Sequence, residues 1–255
     1  MSVHVEPVDL VDGVIACFTG RDKHSVTPTA GVHTPGNVSH ARPHSPSQLA
    51  QTRNEIADHV GVPVARWHFM RQVHGADVAI VTATTPLGMQ LDAVDAAVTV
   101  EADRCLVVQV ADCVPVLLAA TRTGAVQAIG VVHAGRVGLV AGVVEAATAA
   151  LQDAAGSAST LHAAVGPAIG GCCYEVPDAM HHDVAQVHPA AAATTTWGSP
   201  ALDLPAAVVT QLIAAGVQTT QIASCTRCDP EQRWFSHRTD PTTGRFVGMI
   251  AMDKP

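Results

Sequence analysis

Apolar residues in this chain come in short runs rather than in long stripes. Runs at residues 67–73, 77–82, 96–100, 106–111, 114–119 and 126–132 are dominated by Val, Ile and Leu. A run that is apolar at successive positions, with no polar alternate, predicts a strand covered on both faces. Residues 14–19, apolar with a β-branched bias, and residues 161–165 add two more strands. Helical spacing appears between them. Leu49, Ile56 and Val60 predict a helix that Ser47 caps and Gly61 ends. Further helices are expected at 138–152, which is rich in alanine, at 177–187 and at 204–215. The tail, 222–251, returns to strand-like segments around Trp234-Phe235 and 246–250. Residues 20–46 are rich in Gly, Pro, Ser, Thr and His and carry no apolar period, which predicts a long loop of the kind that usually serves function. Strands and helices interleave without strict alternation, and no repeat or linker divides the chain. The fold expected is therefore α/β (α+β): a single domain over residues 1–255, with mixed β-sheets covered by helices.

Composition supports a folded chain. Hydrophobic residues make up 48% and charged residues 14%, the reverse of a disordered balance. Aromatics are only 3%, so the core is expected to be built from small branched side chains. The formal charge of −8 and the lack of any Lys/Arg run argue against a nucleic-acid partner, while leaving room for a local basic pocket that takes one small phosphate. The first residues lack the basic and apolar regions of a signal peptide, and no apolar stretch is long enough to span a bilayer. Cytoplasmic residence without membrane contact is the expectation. The seven cysteines, at 17, 105, 113, 172, 173, 225 and 228, are odd in number in a chain that is not small, which favours thiol or metal chemistry over a disulfide framework.

Three segments put a reactive side chain at the end of an apolar run. They are Gln72-Val73-His74-Gly75, Ala111-Asp112-Cys113 and Val131-Val132-His133-Ala134-Gly135. Gly75 and Gly135 would let the backbone turn or approach a ligand without a Cβ clash. His, Cys and His form a reasonable zinc set, and three protein ligands leave a fourth position open for water or substrate. Taken singly, each residue is more often a hydrogen-bonded histidine or a buried small cysteine than a metal ligand. No two stand at close metal-ligand spacing, so spacing alone leaves the question open.

The order of longer motifs narrows it. The three segments, with Cys113 continuing as Val114-Pro115-Val116-Leu117, are followed by Val165-Gly166-Pro167-Ala168-Ile169-Gly170 and Cys173-Tyr174-Glu175-Val176. Phe235-Ser236-His237-Arg238 and Thr243-Gly244-Arg245 come after them. From about residue 14 to the C-terminus the series resembles the laccase-domain family, once labelled multicopper polyphenol oxidases. Its members are now regarded as purine nucleoside phosphorylases with adenosine deaminase activity, and some bacterial members are called peptidoglycan editing factors. The resemblance implies a zinc cofactor on His74, Cys113 and His133, and substrates that include adenosine, inosine and methylthioadenosine together with phosphate. The chain departs from the family at the rim. Arg136-Val137-Gly138 stands where Trp-Arg-Gly is usual, Lys23 and His24 occupy two glycine places after Thr19 and Arg21, and His237 stands where a tyrosine is common.

Zinc can lower the pKa of a bound water to roughly 7, which would serve deamination at C6 of adenosine. Phosphorolysis instead needs phosphate to reach C1′ of the ribose, and an arginine suits bidentate phosphate contact. Arg21, Arg71 and Arg238 are the candidates for substrate binding, with Arg21 favoured because it opens the long loop. Cys113, His133 and Asp112 are the catalytic candidates, Asp112 as an orienting or proton-relaying neighbour of Cys113. The cytidine-deaminase motif is absent, and no His-x-His pair exists to gather several coppers. Cys225-Thr226-Arg227-Cys228 is a lone Cys-x-x-Cys that could be redox-active or bind a second metal. Two enzymatic alternatives stand beside the phosphorylase. One is a cysteine hydrolase with Cys113 as nucleophile and His133 as base. The other is a hydrolase that edits peptidoglycan precursors.

Overall fold

A computed structural model describes residues 3–22 and 35–253 of the chain. Its strands are β1 (Val3–Pro7), β2 (Val14–Asp22), β3 (Trp67–Phe69), β4 (Val78–Val81), β5 (Ala96–Thr99), β6 (Cys105–Val110), β7 (Val114–Arg122), β8 (Ala125–Ala134), β9 (Thr160–Val165), β10 (Ala192–Thr194), β11 (Pro200–Leu202), β12 (Gln218–Gln221) and β13 (Phe246–Met252). Its helices are α1 (Pro46–Val60), α2 (Arg136–Val140), α3 (Val143–Ala155), α4 (Asp178–Val187) and α5 (Leu204–Ala214). A five-stranded sheet runs β1-β2-β13-β6-β3, a six-stranded sheet runs β12-β9-β7-β8-β5-β4, and β10 and β11 form a small hairpin. Both large sheets mix parallel and antiparallel pairs, as expected for the mixed α/β class.

The two large sheets lie face to face, and this explains the unbroken apolar runs. On β7, Leu117 and Ala119 point into the layer between the sheets, whereas Val114, Val116, Leu118 and Ala120 point to the helices α3 and α5. On β6, Leu106, Val108 and Val110 face the inter-sheet layer, and Cys105 and Val107 face the side that α1 covers. Period-two alternation is present, but both faces are buried, so it leaves no polar trace. Phe18 fills the inter-sheet layer. A Cβ on Gly166 or Gly248 would lie 2.4 Å or 2.7 Å from its ring, so those two positions must be glycine.

Several expected elements are shifted or absent. Ser45 rather than Ser47 stands at the N-cap of α1, without a capping hydrogen bond from its side chain, and Pro46 takes the first helical position, where its missing N–H costs nothing. The helix expected at 138–152 is broken in two by Gly142, at φ 88°. The strand expected at 67–73 stops at Phe69, because the chain turns there toward the other sheet. Trp234 and Phe235 are buried in the inter-sheet core but lie in a turn segment rather than a strand. The edge strands β1 and β12 were not expected: β1 alternates as Val-His-Val-Glu over only a few residues, and β12 reads Gln-Thr-Thr-Gln with no apolar position. Of the expected loop at 20–46, residues 23–34 lie outside the described residues, while 20–22 belong to β2 and 35–45 are irregular up to the start of α1. Among the described residues, no helix is long and apolar enough to cross a membrane.

Candidate metal centre

The site forms where the chain passes between the sheets. β3 and β6 belong to the five-stranded sheet, and β4 and β7 belong to the six-stranded one. The connection from β3 to β4 carries His74, and the connection from β6 to β7 carries Cys113. His133 is the penultimate residue of β8, paired with Pro115 of β7, so it lies within the strand rather than beyond it as its run suggested. The three residues, drawn from segments far apart in sequence, bring one ligand atom each to within 4.8 Å of the others. Cys113 Sγ stands 3.7 Å from His74 Nε2. His133 is buried, Cys113 is half-buried and His74 is exposed, so the cluster opens to one side.

Asp95 organises the cluster. It is fully buried at the start of β5. Its Oδ1 lies 2.7 Å from His133 Nδ1, and its two oxygens accept the backbone N–H groups of Val73 at 3.1 Å, His74 at 3.0 Å and Gly75 at 2.7 Å. One carboxylate therefore orients the imidazole of His133, leaving Nε2 for a metal, and clamps the turn that presents His74. A carboxylate behind a ligating histidine fixes its tautomer and raises its basicity. The sequence signal for Asp95 was slight: a single acid immediately before the apolar run Ala96-Ala97-Val98. Gln72 is a second clamp. Its side chain donates to Gln109 O at 2.7 Å and accepts from Gln109 N at 2.9 Å, tying the approach to His74 onto the edge of β6.

Backbone geometry is unusual at two of these positions. His74 has φ 62° and Asp112 has φ 87°, both in the left-handed region that side chains with a Cβ disfavour. Residues held there mark positions that the surroundings over-determine, often at functional sites. At Asp112 the surroundings are visible. Its carboxylate accepts from the Thr226 hydroxyl and from the Arg238 backbone N–H at 2.7 Å, and its carbonyl accepts from Ile169 N–H. The structure thus places Asp112 as the anchor of the turn before Cys113. Gly135 is the glycine that contact requires. A Cβ there would lie 2.5 Å from His74 Cδ2 and 3.3 Å from Cys113 Sγ, whereas one on Gly75 would meet nothing closer than 3.5 Å.

The electrostatics suit a thiolate ligand. Burial raises the Cys113 thiol, but the imidazoles of His133 and His74 outweigh it and bring it down to about 6. Burial lowers His133, and the Cys113 thiolate and Asp95 outweigh that, lifting it to about 9. Burial raises the Asp95 carboxyl, while His133 and the amides of Gly75 and Val73 hold it below the ordinary carboxylate range. The donor set fits a metal ion: a deprotonated sulfur, an oriented imidazole and an exposed imidazole at mutually ligating distances.

A cavity of about 540 Å³ opens beside the three residues, a size suited to a small ligand. Arg71 lines it and is paired with Asp92. Arg42 and Arg245 also line it, together with His40, Gln109 and His237. Arg21 instead lines a separate cavity of about 490 Å³ near Asp229 and stacks on Phe235, with 5.9 Å from guanidinium to ring. Arg238 lies against Tyr174, 4.6 Å from guanidinium to ring, and donates to Glu175 O. Of the three arginines expected to bind substrate, Arg71 is therefore the one the fold brings to the cavity. The sequence points to Arg245 only within the Thr243-Gly244-Arg245 motif, not as a substrate contact, and does not point to Arg42, because they sit in irregular segments far apart in sequence. Asn37 joins those segments by accepting from Ser39 N–H and Arg245 N–H. Burial and the nearby Arg42 lower Arg245 to about 10, which leaves it charged at neutral pH. Of the rim departures, His237 lines the cavity, Arg136 is half-buried at the start of α2, and Lys23 and His24 lie outside the described residues.

Known proteins share this arrangement of chain. The profile of a family described as multi-copper polyphenol oxidoreductase laccase matches residues 15–253. A Streptomyces coelicolor protein named purine nucleoside phosphorylase is 46% identical over 248 residues, covering 96% of this chain and 98% of its own. A Corynebacterium glutamicum protein of the same name is 38% identical over 210 residues, covering 82% of this chain and 83% of its own. The crystal structure of YlmD from Geobacillus stearothermophilus superposes with a TM-score of 0.79 at 30% identity, covering 95% of this chain and 93% of that one.

Proposed function

The chain belongs to the multi-copper polyphenol oxidoreductase laccase family, and from that premise we propose that it is a zinc-dependent purine nucleoside phosphorylase with adenosine deaminase activity. Its relatives' names support a phosphorylase-like enzyme acting on a nucleoside and phosphate. The observation that carries the zinc assignment is the convergence of His74, Cys113 and His133 within 4.8 Å on one open face. Sulfur and imidazole ligands with one position left open are the donor set of catalytic zinc.

Zinc at these residues would supply Lewis acidity and an activated water at neutral pH. The chain's own residues do the rest. Asp95 holds the His133 ring and the His74 turn against rotation. Asp112, gripped by Thr226 and by the Arg238 amide, fixes the backbone that presents Cys113. Arg71, Arg42 and Arg245 line the neighbouring cavity as a positive surface for phosphate, and charge-assisted contacts of this kind are the stronger class of hydrogen bond. Phosphate held there would attack C1′ as the bond to the purine breaks, with the purine nitrogen taking the electron pair. Gln109 and His237 offer polar contacts to the nucleoside.

Cys113, His133 and Asp95 also stand in the order of a nucleophile, a base and its orienting acid. That arrangement favours a cysteine hydrolase as the second reading. One experiment separates the two. The protein, as purified, is incubated with adenosine, inosine or methylthioadenosine, with and without phosphate. Free purine base that forms only with phosphate, together with inosine from adenosine, supports the zinc phosphorylase-deaminase. No product from any nucleoside, with selective alkylation of Cys113 in a metal-free protein, supports the hydrolase.

A further inference from the structure

A second group of ligating side chains lies on the other side of Asp112. Two segments far apart in sequence bring four thiols together: Cys172 and Cys173 follow the glycine turn after β9, and Cys225 and Cys228 follow β12. The four sulfurs all lie within 4.8 Å of one another. Cys172 Sγ is 3.6 Å from Cys173 Sγ and 3.7 Å from Cys228 Sγ. A tetrahedral ion with metal–sulfur bonds of about 2.3 Å sets its sulfurs about 3.8 Å apart, so these separations are those of a coordination shell. All four cysteines are free thiols in the structure.

The backbone around Cys225 suits a thiolate, while burial and the neighbouring thiols raise Cys172 and Cys173. Cys225 Sγ accepts the Gly170 backbone N–H at 3.3 Å and also takes hydrogen bonds from the backbone of Arg227 and Cys228. The Cys-x-x-Cys turn thus wraps its own first sulfur in amides. Gly170 leaves the space, since a Cβ there would lie 3.3 Å from Cys172 Sγ and 3.9 Å from Cys225 Sγ. Four thiolates around a divalent cation leave a net charge of about −2. Arg227 places a guanidinium beside them, held by Cys173 O at 3.1 Å and stacked on Trp197. The loops are also joined through their backbones, by a bridge between Ala168 and Cys225 and by the Ala168 N–H to Ser224 O and Thr226 N–H to Ala168 O bonds.

We propose that Cys172, Cys173, Cys225 and Cys228 bind a second zinc ion, structural in role, that ties the loop after β9 to the loop after β12. Binding releases the thiol protons to solvent, and four sulfur ligands leave no open position for substrate. The site has a consequence for the first centre. Thr226 lies inside the Cys-x-x-Cys turn, and its hydroxyl holds Asp112, the residue before Cys113. The second ion therefore steadies the backbone that presents one ligand of the first.

Metal content tests this independently of the reaction catalysed. The full-length protein is produced with added zinc, purified without chelator, and weighed intact under native conditions alongside elemental analysis. Wild type should carry two zinc ions per chain, Cys113→Ala and Cys228→Ser one each, and the double variant none. Cys228 is exposed, so its exchange for serine disturbs packing least. Cobalt substitution gives a readout that needs no variant of this cluster: the visible bands of a four-sulfur tetrahedral site should persist in Cys113→Ala. Equal zinc in wild type and Cys228→Ser would overturn the proposal. So would a Cys172–Cys228 disulfide in peptides mapped after alkylation, or the absence of four-sulfur cobalt bands.

Discussion

The two clusters on either side of Asp112 use similar residues for opposite ends. The first gathers two imidazoles and one sulfur on connections between the sheets, is backed by a fully buried carboxylate, and opens on a cavity with three arginines. The second gathers four sulfurs on two loops, with backbone amides and one arginine around them and no open position. An incomplete ligand set beside a cavity can present an ion to substrate. A complete set can only hold chain segments together. The difference also shows in what each needs from the fold. His74 and Asp112 are held at positive φ by the Asp95 carboxylate and by the Thr226 and Arg238 contacts, whereas the four cysteines sit on two loops joined by backbone bonds at Ala168.

The largest effect that would sharpen this contrast comes from the first cluster's ligands. Cys113→Ala or His133→Ala should remove the metal there and reduce phosphorolysis to background, with thermal unfolding showing a folded protein. Asp95→Asn comes next. It keeps the shape but weakens the grip on His133 and the His74 turn, and should lower metal affinity or turnover by about 10- to 100-fold. Gly135→Ala should also displace His74 and cost activity, while Gly75→Ala, which meets nothing closer than 3.5 Å, should be mild by the same assay. Equal effects from the two glycine variants would break the claim that Gly135 makes room for the ligands.

Smaller effects belong to the rim and to the second cluster. Arg245→Ala should raise the KM for phosphate more than it lowers kcat, by about 10-fold for one charge-assisted contact. Arg238→Ala, outside the cavity, should change it less. Cys228→Ser should lower the melting temperature yet keep the first metal. The smallest effect is one of pH, next to the second cluster. Arg233 pairs with the buried Asp229 at 2.7 Å. Burial raises the Asp229 carboxyl, but Arg233 and its backbone N–H outweigh this and hold it below the ordinary range. That contribution to stability is present above the unfolded carboxylate value of about 3.9 and is lost as pH falls through the lower folded value. Asp229→Asn should flatten the acid limb of the melting temperature against pH, and an unchanged limb would remove the pair from the account.

How much was legible in the sequence differs between the same two regions. Both-face burial turned β6, β7 and β8 into apolar runs that could be read directly, and the ligands of the first cluster stand at or near the ends of such runs. His74, Cys113 and His133 were found for that reason, with the motif order supplying their grouping. Asp95 was not, because a buried acid that accepts three amides looks in sequence like any loop aspartate. The place of Arg42 and Arg245 at the cavity was not foreseen, although Arg245 stands in the Thr243-Gly244-Arg245 motif, because Asn37 joins their segments across the fold, a contact with no sequence spacing. Arg21 was favoured for opening a long loop, yet it lines the other cavity. The four cysteines were visible as two pairs, but nothing local shows that β9 and β12 are parallel neighbours, which is what brings the pairs together.

Phosphate-dependent release of purine base, measured on wild type, Cys113→Ser and Cys228→Ser at known zinc content, tests the central claim most directly. Release should be lost with the first cluster's ion in Cys113→Ser and largely kept in Cys228→Ser. Turnover in Cys113→Ser equal to wild type would contradict the assignment of catalysis to His74, Cys113 and His133.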